Sequence, residues 1–400
     1  MNRSLLKSLS LLVVLATVPL VFGCDDQGSG ERVIQRDSLG VFITETVMPR
    51  WEDGSPWQIG ETPLLDLTVT GIGSAHEFHR VTDATRLRNG SIAVTDEGSR
   101  QVRLFSGTGE FVGAVGGAGE GPGEFARLAS VHELSDGSVI AFDFWLGRIT
   151  RWSGDLELVE TLRPYDLNTR VEEIHLLEDD TLVGVTWSRE VLSRVVGRYR
   201  MPYTIVRFEL DGLRADTLAT LQGFEGYAFE QGDARPLFRR SGHVAVHNGR
   251  LYVGEADSLE IRVHELDGKL ARVMRVPGFD LSLSRDEVRA ERESLLWEGA
   301  PEYFRNLVRN MEDPETKAAY AGLLVDSEGF VWAPEARGIA ESGPVAARIF
   351  SPEGEWLGNV TLPDRFRVFE IGTDYLLGVG LDELDVERLQ VWALDRRDMQ

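Results

Sequence analysis

Cysteine is almost missing from this 400-residue chain: Cys24 is the only one. A single thiol cannot close a disulfide within the chain, so the fold must stand on its packed core. Several catalytic signatures are missing as well. There is no HExxH, no GxSxG, no CxxC and no glycine-rich loop ending in Gly-Lys-Ser/Thr. Positive charge is scarce relative to negative, 42 Lys and Arg against 65 Asp and Glu, giving a net charge of −23. That balance argues against nucleic acid as a partner and against broad adhesion to anionic lipid. Long apolar runs are also missing: Leu9–Phe22 stands alone, too short and wrongly flanked for a stable membrane span.

That run has the layout of a targeting segment. Arg3 and Lys7 precede it as a basic region, and it ends in Val21-Phe22-Gly23-Cys24. The ending resembles a bacterial lipoprotein box, in which a small residue precedes a cysteine that is lipidated and becomes the new N-terminus. The expected organisation is a signal peptide over residues 1–23, lipidation at Cys24, a polar tether over 24–36 and one folded domain over 37–400. The expected location is the bacterial cell envelope, facing the periplasm or the cell surface, with the membrane reached through the lipid anchor.

What the chain has in abundance is glycine, 42 residues spread along its length at turns. With 42% hydrophobic content, this describes a globular chain of many short strands. Val115–Leu162 shows the unit. A glycine-rich loop closed by Pro122 is followed by four β-like runs, Ala129–Leu134, Ser138–Asp143, Arg148–Trp152 and Glu157–Leu162. Tight turns at Asp136-Gly137 and Ser153-Gly154 separate them, because glycine accepts the positive φ that such turns demand. One four-stranded meander cannot bury both of its faces, so it must stack on others like itself.

His76–Val115 is a second copy, with Glu77-Phe78-x-Arg80 matching Glu124-Phe125-x-Arg127. A third begins near Arg170, a fourth at Arg239 and a fifth spans Ala319–Leu362; the tail Phe366–Leu394 holds three strands. An N-terminal strand, Thr62–Thr70, is available to complete the last sheet and close a ring, removing free sheet edges. The expected fold is therefore all-β: a six-bladed β-propeller of four-stranded antiparallel blades, the last closed by an N-terminal strand. Seven blades is the alternative, should Leu39–Val47 organise a further sheet. A helical insertion at about 284–311 interrupts the pattern, opening with a Ser284/Glu287 capping box and restarting at Pro301.

Gly119–Phe125 (GEGPGEF), the Asp136-Gly137 turn, Arg148 and Trp152-Ser153-Gly154 resemble an NHL-type repeat, as do Val94-Thr95-Asp96, Arg100-Gln101-Val102 and Phe105 upstream. The chain is thus similar to the six-bladed β-propeller lipoproteins of bacteria. The resemblance implies the fold and says little of activity, since propellers host unrelated functions.

Two constellations follow from aligning the repeats. Arg80, Arg127, Arg170 and Arg239 each stand ten residues before a turn, at the start of a channel-lining strand. Four guanidiniums at one mouth form a candidate anion site for carboxylate or phosphate. The competing reading is that each arginine pairs with an acid of a neighbouring blade, such as Glu77, Glu124 or Glu172, and staples the blades. His132 and His175 share a second repeat position and are candidate metal ligands for calcium or zinc. By simple strand alternation, Glu133 and Glu173 point to the opposite face and could not complete such a site. Propeller lactonases and lyases resemble this fold and need a metal at the channel mouth, for which Asp83, Glu133 and Glu173 could supply carboxylates.

The leading expectation is a monomeric binding or scaffold module for a protein, peptide or glycan partner in the envelope, with no cofactor. The alternative is a metal-dependent, lactonase- or lyase-like enzyme with its site at the channel mouth.

Overall fold

The computed structural model describes residues 32–51, 54–68, 71, 73–163, 169–188, 197–210, 215–229 and 232–397. Cys24, the signal peptide, most of the tether and the Asp211-Gly212 turn lie outside these residues. Six sheets follow one another around a ring, so the molecule has six blades and not seven. The inner strands are Val81–Arg86, Leu128–Glu133, Thr169–Leu176, His243–His247, Leu324–Val325 and Phe366–Ile371 for blades 1 to 6. Blade 2 reproduces the expected meander almost residue for residue, with strands Leu128–Glu133, Val139–Asp143, Arg148–Trp152 and Leu158–Leu162.

The ring closes as expected. Trp57–Asp66 pairs antiparallel with Glu387–Arg396 as the outer strand of blade 6, somewhat earlier in the chain than the anticipated Thr62–Thr70. Leu39–Val47 founds no seventh blade. Val41–Thr46 instead joins the outer strand of blade 4, Leu270–Arg275, in parallel, and Val33–Ser38 pairs on its far side. The tether expected over 24–36 therefore gives way to strand from Val33 onward. Between the two edges the chain crosses blade 5, with Trp51 N donating to Leu357 O at 2.6 Å. Trp51 and Trp57 are buried there with ring centroids 5.2 Å apart.

Strand direction sorts the connections by face. First and third strands run away from one face, so blade-to-blade linkers and second-to-third connections share it; we call this the linker face. The tight turns at Asn89-Gly90 and Asp136-Gly137 lie on the opposite, turn face. Large side chains fill the space between sheets: Phe125, Phe142, Phe208, Trp332 and Phe350 are almost wholly buried. Buried arginines on third strands fix the linkers to the blades. Arg103 donates to Ala75 O at 3.1 Å and to Glu77 O at 2.6 Å, and pairs with Asp96 at 2.9 Å. Arg148 reaches Glu120 O at 2.7 Å and Gly121 O at 2.8 Å. The glycine-rich linker is thereby a blade connection, as the sequence indicated. Gly116 is obligatory in it: φ is +99°, and a Cβ would stand 2.8 Å from the Phe125 ring.

The insertion forms two helices, α1 (Arg285–Ser294) and α2 (Glu302–Asn310), with both halves of the Ser284/Glu287 capping box in place. It belongs to the linker between blades 4 and 5 and so lies on the linker face. Val288 and Met311 pack with Leu237 and Phe238 of the preceding linker, and with Tyr227 on the long outer strand of blade 3. Tyr303 of α2 is 56% exposed. Among the described residues no helix is long and apolar enough to cross a membrane.

Candidate functional site

The innermost strands carry a feature that alternation alone does not anticipate. In blades 1, 2, 3 and 6 the register slips at equivalent places: after Val81, Leu128, Val171 and Val368. Each slip is a β-bulge, which inserts one extra residue and turns two successive side chains to one side. Burial follows a three-residue rhythm there, with Val81, Ala84, Val171 and Ile174 buried and the pairs between them facing the channel. The pairs are Thr82-Asp83, Ala129-Ser130, Glu172-Glu173 and Phe369-Glu370.

These pairs line a central cavity of about 620 Å³. Its wall also includes His132, His175, His247 and Tyr375. It extends to Ser327 and Gly372 in the turns after the inner strands of blades 5 and 6, and so reaches toward the turn face. Among the described residues no arginine or lysine lines it.

The carboxylates are held by neighbouring blades. Asp83 Oδ2 accepts from Val131 N of blade 2 at 3.0 Å, and its Oδ1 accepts from Ala84 N at 2.9 Å. Burial pushes the Asp83 carboxyl up to about 7, although these two N–H groups pull the other way; nearby Glu370 adds to the rise. Glu370 accepts from Thr85 Oγ1 at 2.6 Å, from Arg86 N at 3.0 Å and from the Tyr375 hydroxyl. Burial, reinforced by that glutamate, pushes the Tyr375 phenol upward. Glu172 accepts from Trp187 Nε1 at 2.8 Å.

His132 and His175 do meet in this cavity. Burial lowers the His132 imidazole to about 4, with His175 contributing, against the hydrogen bond that the ring donates to the Ile174 backbone. Nε2 of each ring is buried without a hydrogen-bond partner. Glu173 lies beside them on the same wall, its Oε1 3.6 Å from His175 Nε2, so the expectation that alternation turns it away is corrected. The bulge at Glu172 is the reason. Glu133 does reach away, accepting from Arg88 N at 2.7 Å. Among the described residues no three His, Cys, Asp or Glu side chains gather as a metal site.

The four ring arginines occupy the other mouth, on the linker face, and none lines the central cavity. Arg80 pairs with Glu97 of its own blade at 2.7 Å. Arg127 and Arg170 lie over the Phe144 ring, at 4.7 and 4.1 Å, and Arg170 also over Trp145 at 4.9 Å. Arg239 lies over Phe224 at 4.9 Å. Arg80 thus takes an acid of its own blade and not Glu77 or Glu124. The shared Phe144 ring links blades 2 and 3 through cation–π contact. Arg80, Arg127 and Arg170 thus cluster along blades 1 to 3, apart from Arg239.

A family model described as a 6-bladed beta-propeller matches residues 79–183, which is blade 1 through the second strand of blade 3. The fold is that of the six-bladed β-propellers. Two solved structures share it across most of the chain. One, from Bacteroides vulgatus, is a member of the DUF4221 family: 10% identity, TM-score 0.54, covering 85% of this chain and 98% of that one. The other is a protein described as exported from Bacteroides fragilis, with 14% identity, TM-score 0.51 and coverage of 86% and 98%. A gluconolactonase of Xanthomonas campestris is more distant, at 14% identity and TM-score 0.40 over 87% of this chain and 99% of that one. Identities this low speak to the fold alone. No curated protein matches the chain in sequence.

The sequence had singled out Asp83, His132 and His175. It missed Glu370, Tyr375 and His247 as channel residues. The signal was present: Val368-Phe369-Glu370 aligns with Val81-Thr82-Asp83 and Val171-Glu172-Glu173 once the bulge, not the turn, sets the register.

Proposed function

We propose that this chain is a binding module of the bacterial cell envelope, lipid-anchored through Cys24, whose channel receives a neutral or cationic group rich in hydrogen-bond donors from its partner. One observation carries the reading: five carboxylates (Asp83, Glu172, Glu173, Asp326 and Glu370) and three imidazoles share a cavity with no arginine or lysine on its wall. A carboxylate accepts hydrogen bonds and repels anions. The buried, unpartnered Nε2 atoms of His132 and His175 offer further polar contacts to an entering group. The hydroxyls of a glycan or the ammonium group of a peptide have this chemistry. The location rests on the leader sequence and on likeness to the exported Bacteroides fragilis protein.

Thermal-shift and calorimetric screens of the full-length protein against neutral sugars, short amines and small anions test this. Sugars or amines should stabilise it, and Asp83→Asn with Glu370→Gln should weaken that binding at least tenfold. Stabilisation by anions alone at this cavity, or binding unchanged in the double variant, overturns it.

A second reading, a metal-dependent enzyme at the channel, draws on the meeting of His132 and His175 in the cavity. Elemental analysis decides between them. One equivalent of calcium or zinc that disappears in the His132→Gln, His175→Gln variant would establish a metal site, and a metal-free protein unmoved by chelators supports the module.

A further inference from the structure

A second cavity, of about 510 Å³, lies in the cleft between blades 1 and 2 on the linker face, at the mouth opposite the turns. Its size falls among small-molecule sites, about 300–1,000 Å³. Arg80, Arg100, Arg127, Glu97, Glu120 and Trp145 line it. Three guanidiniums against two carboxylates make it a locally cationic spot on a chain of net charge −23.

The state of these arginines sets the cleft apart. Arg80 is engaged by Glu97. Close by in the chain, Arg103 and Arg148 are buried and held by carbonyls and, for Arg103, by Asp96. By contrast the guanidiniums of Arg100 and Arg127 have no carboxylate or carbonyl partner among the described residues; Arg127 meets only the Phe144 ring. Two planar donor forks, one exposed and one half-buried, therefore line one cleft with no protein acceptor taking their hydrogen bonds. Trp145 stands beside them 62% exposed, one of the few large aromatics more than a third exposed among the described residues, with the Arg170 guanidinium 4.9 Å from its ring.

We propose that this cleft binds a carboxylate-bearing sugar of an acidic glycan. Arg100 and Arg127 clamp the carboxylate, since the guanidinium fork matches its two oxygens. Trp145 offers its face to the C–H side of the sugar ring, an apolar body with a polar rim. Glu97 and Glu120 accept from the hydroxyls. The two glutamates also select the anion. They tolerate a singly charged carboxylate surrounded by hydroxyl donors and repel a doubly charged phosphate. An acidic peptide would use the arginines and leave the indole and both glutamates without a role. This site is independent of the channel reading, being on the other face and built from other residues.

Calorimetry of the full-length protein with trigalacturonic acid, and with galactotriose as the neutral control, tests the proposal. The acidic trimer should bind at least tenfold more tightly than the neutral one. Arg127→Gln and Trp145→Ala should each weaken it at least tenfold, while Asp83→Asn in the channel leaves it unchanged. Arg100→Gln, in a turn outside the strands, gives the same loss and guards against an Arg127 variant that unfolds. Binding of galactotriose that equals the acidic trimer's and is lost in the Arg127→Gln variant, full affinity in the Trp145→Ala variant, or displacement of the trimer by equimolar inorganic phosphate would each overturn it.

Discussion

Blades 1 and 2 and blades 3 to 5 are built from the same repeat but treat the linker face differently. In the first pair the second-to-third connections are tight, so the mouth is bare and shows arginines and Trp145. In blade 3 the third and outer strands extend to Gly197–Phe208 and Ala215–Phe229, and the blade 4–5 linker carries α1 and α2. These elements meet in a small separate core around Leu237, Phe238, Val288 and Met311. Glu291 of α1, 1% exposed, accepts from Ile339 N in the blade 5 loop and ties it in. The repeat supplies the frame, and departures from it decide which part of the mouth is covered.

Breaking a linker clamp in the regular half should have the largest effect. Arg148→Ala leaves Glu120 O, Gly121 O and Glu124 O without their buried donor, and at about 1–3 kcal/mol for each buried acceptor left unsatisfied should cost about 4 kcal/mol in urea unfolding, spread over the whole domain. Phe238→Ala in the capped half should cost about 3 kcal/mol but act locally. Hydrogen exchange should quicken in 285–311 and 335–344 and stay slow in 118–128; uniform acceleration would show that the cap is part of the main cooperative unit.

The channel makes a third test, in pH. Burial lowers both His132 of the channel and His243, which packs on Tyr320 outside it, to about 4 from 6.5, so the unfolded chain binds more protons across that window and stability falls as pH drops through it. Asp83 acts in the opposite sense. Its carboxyl is raised from 3.8 to about 7, so the native state holds the extra proton and stability falls as pH rises across that range. The His132→Gln, His243→Gln protein should therefore melt with a flatter acid limb. Asp83→Asn should melt several degrees above the parent at pH 8, and the gap should narrow as pH falls and level off only below about pH 4. The smallest effect belongs to the bare mouth: Trp145→Ala should change stability by no more than about 0.5 kcal/mol, because the side chain is exposed.

Much of this protein was legible without coordinates. Turn glycines at fixed spacing, as at Gly90 and Gly137, marked each meander, and a three-stranded tail called for a strand from the N-terminus. Both are local signals, set by which residues accept positive φ and by the count of strands. The acids of Val94-Thr95-Asp96 and Ala141-Phe142-Asp143 were readable as blade-internal for the same reason: Asp143 Oδ2 accepts from Ala126 N at 2.7 Å, and its Oδ1 from Leu146 N at 2.8 Å.

Tertiary structure decided the rest. A bulge in the inner strand leaves no residue signature of its own, yet it turned Glu173 into the channel beside His175. The destination of Leu39–Val47 was equally hidden, since an alternating strand fits any open edge, and only the ring showed that blade 4 offered one. Sequence by itself determined the repeat and its closure, because those depend on neighbours along the chain. Which charges meet, at which mouth, depends on residues tens to hundreds of positions apart, and only the closed ring brings them together.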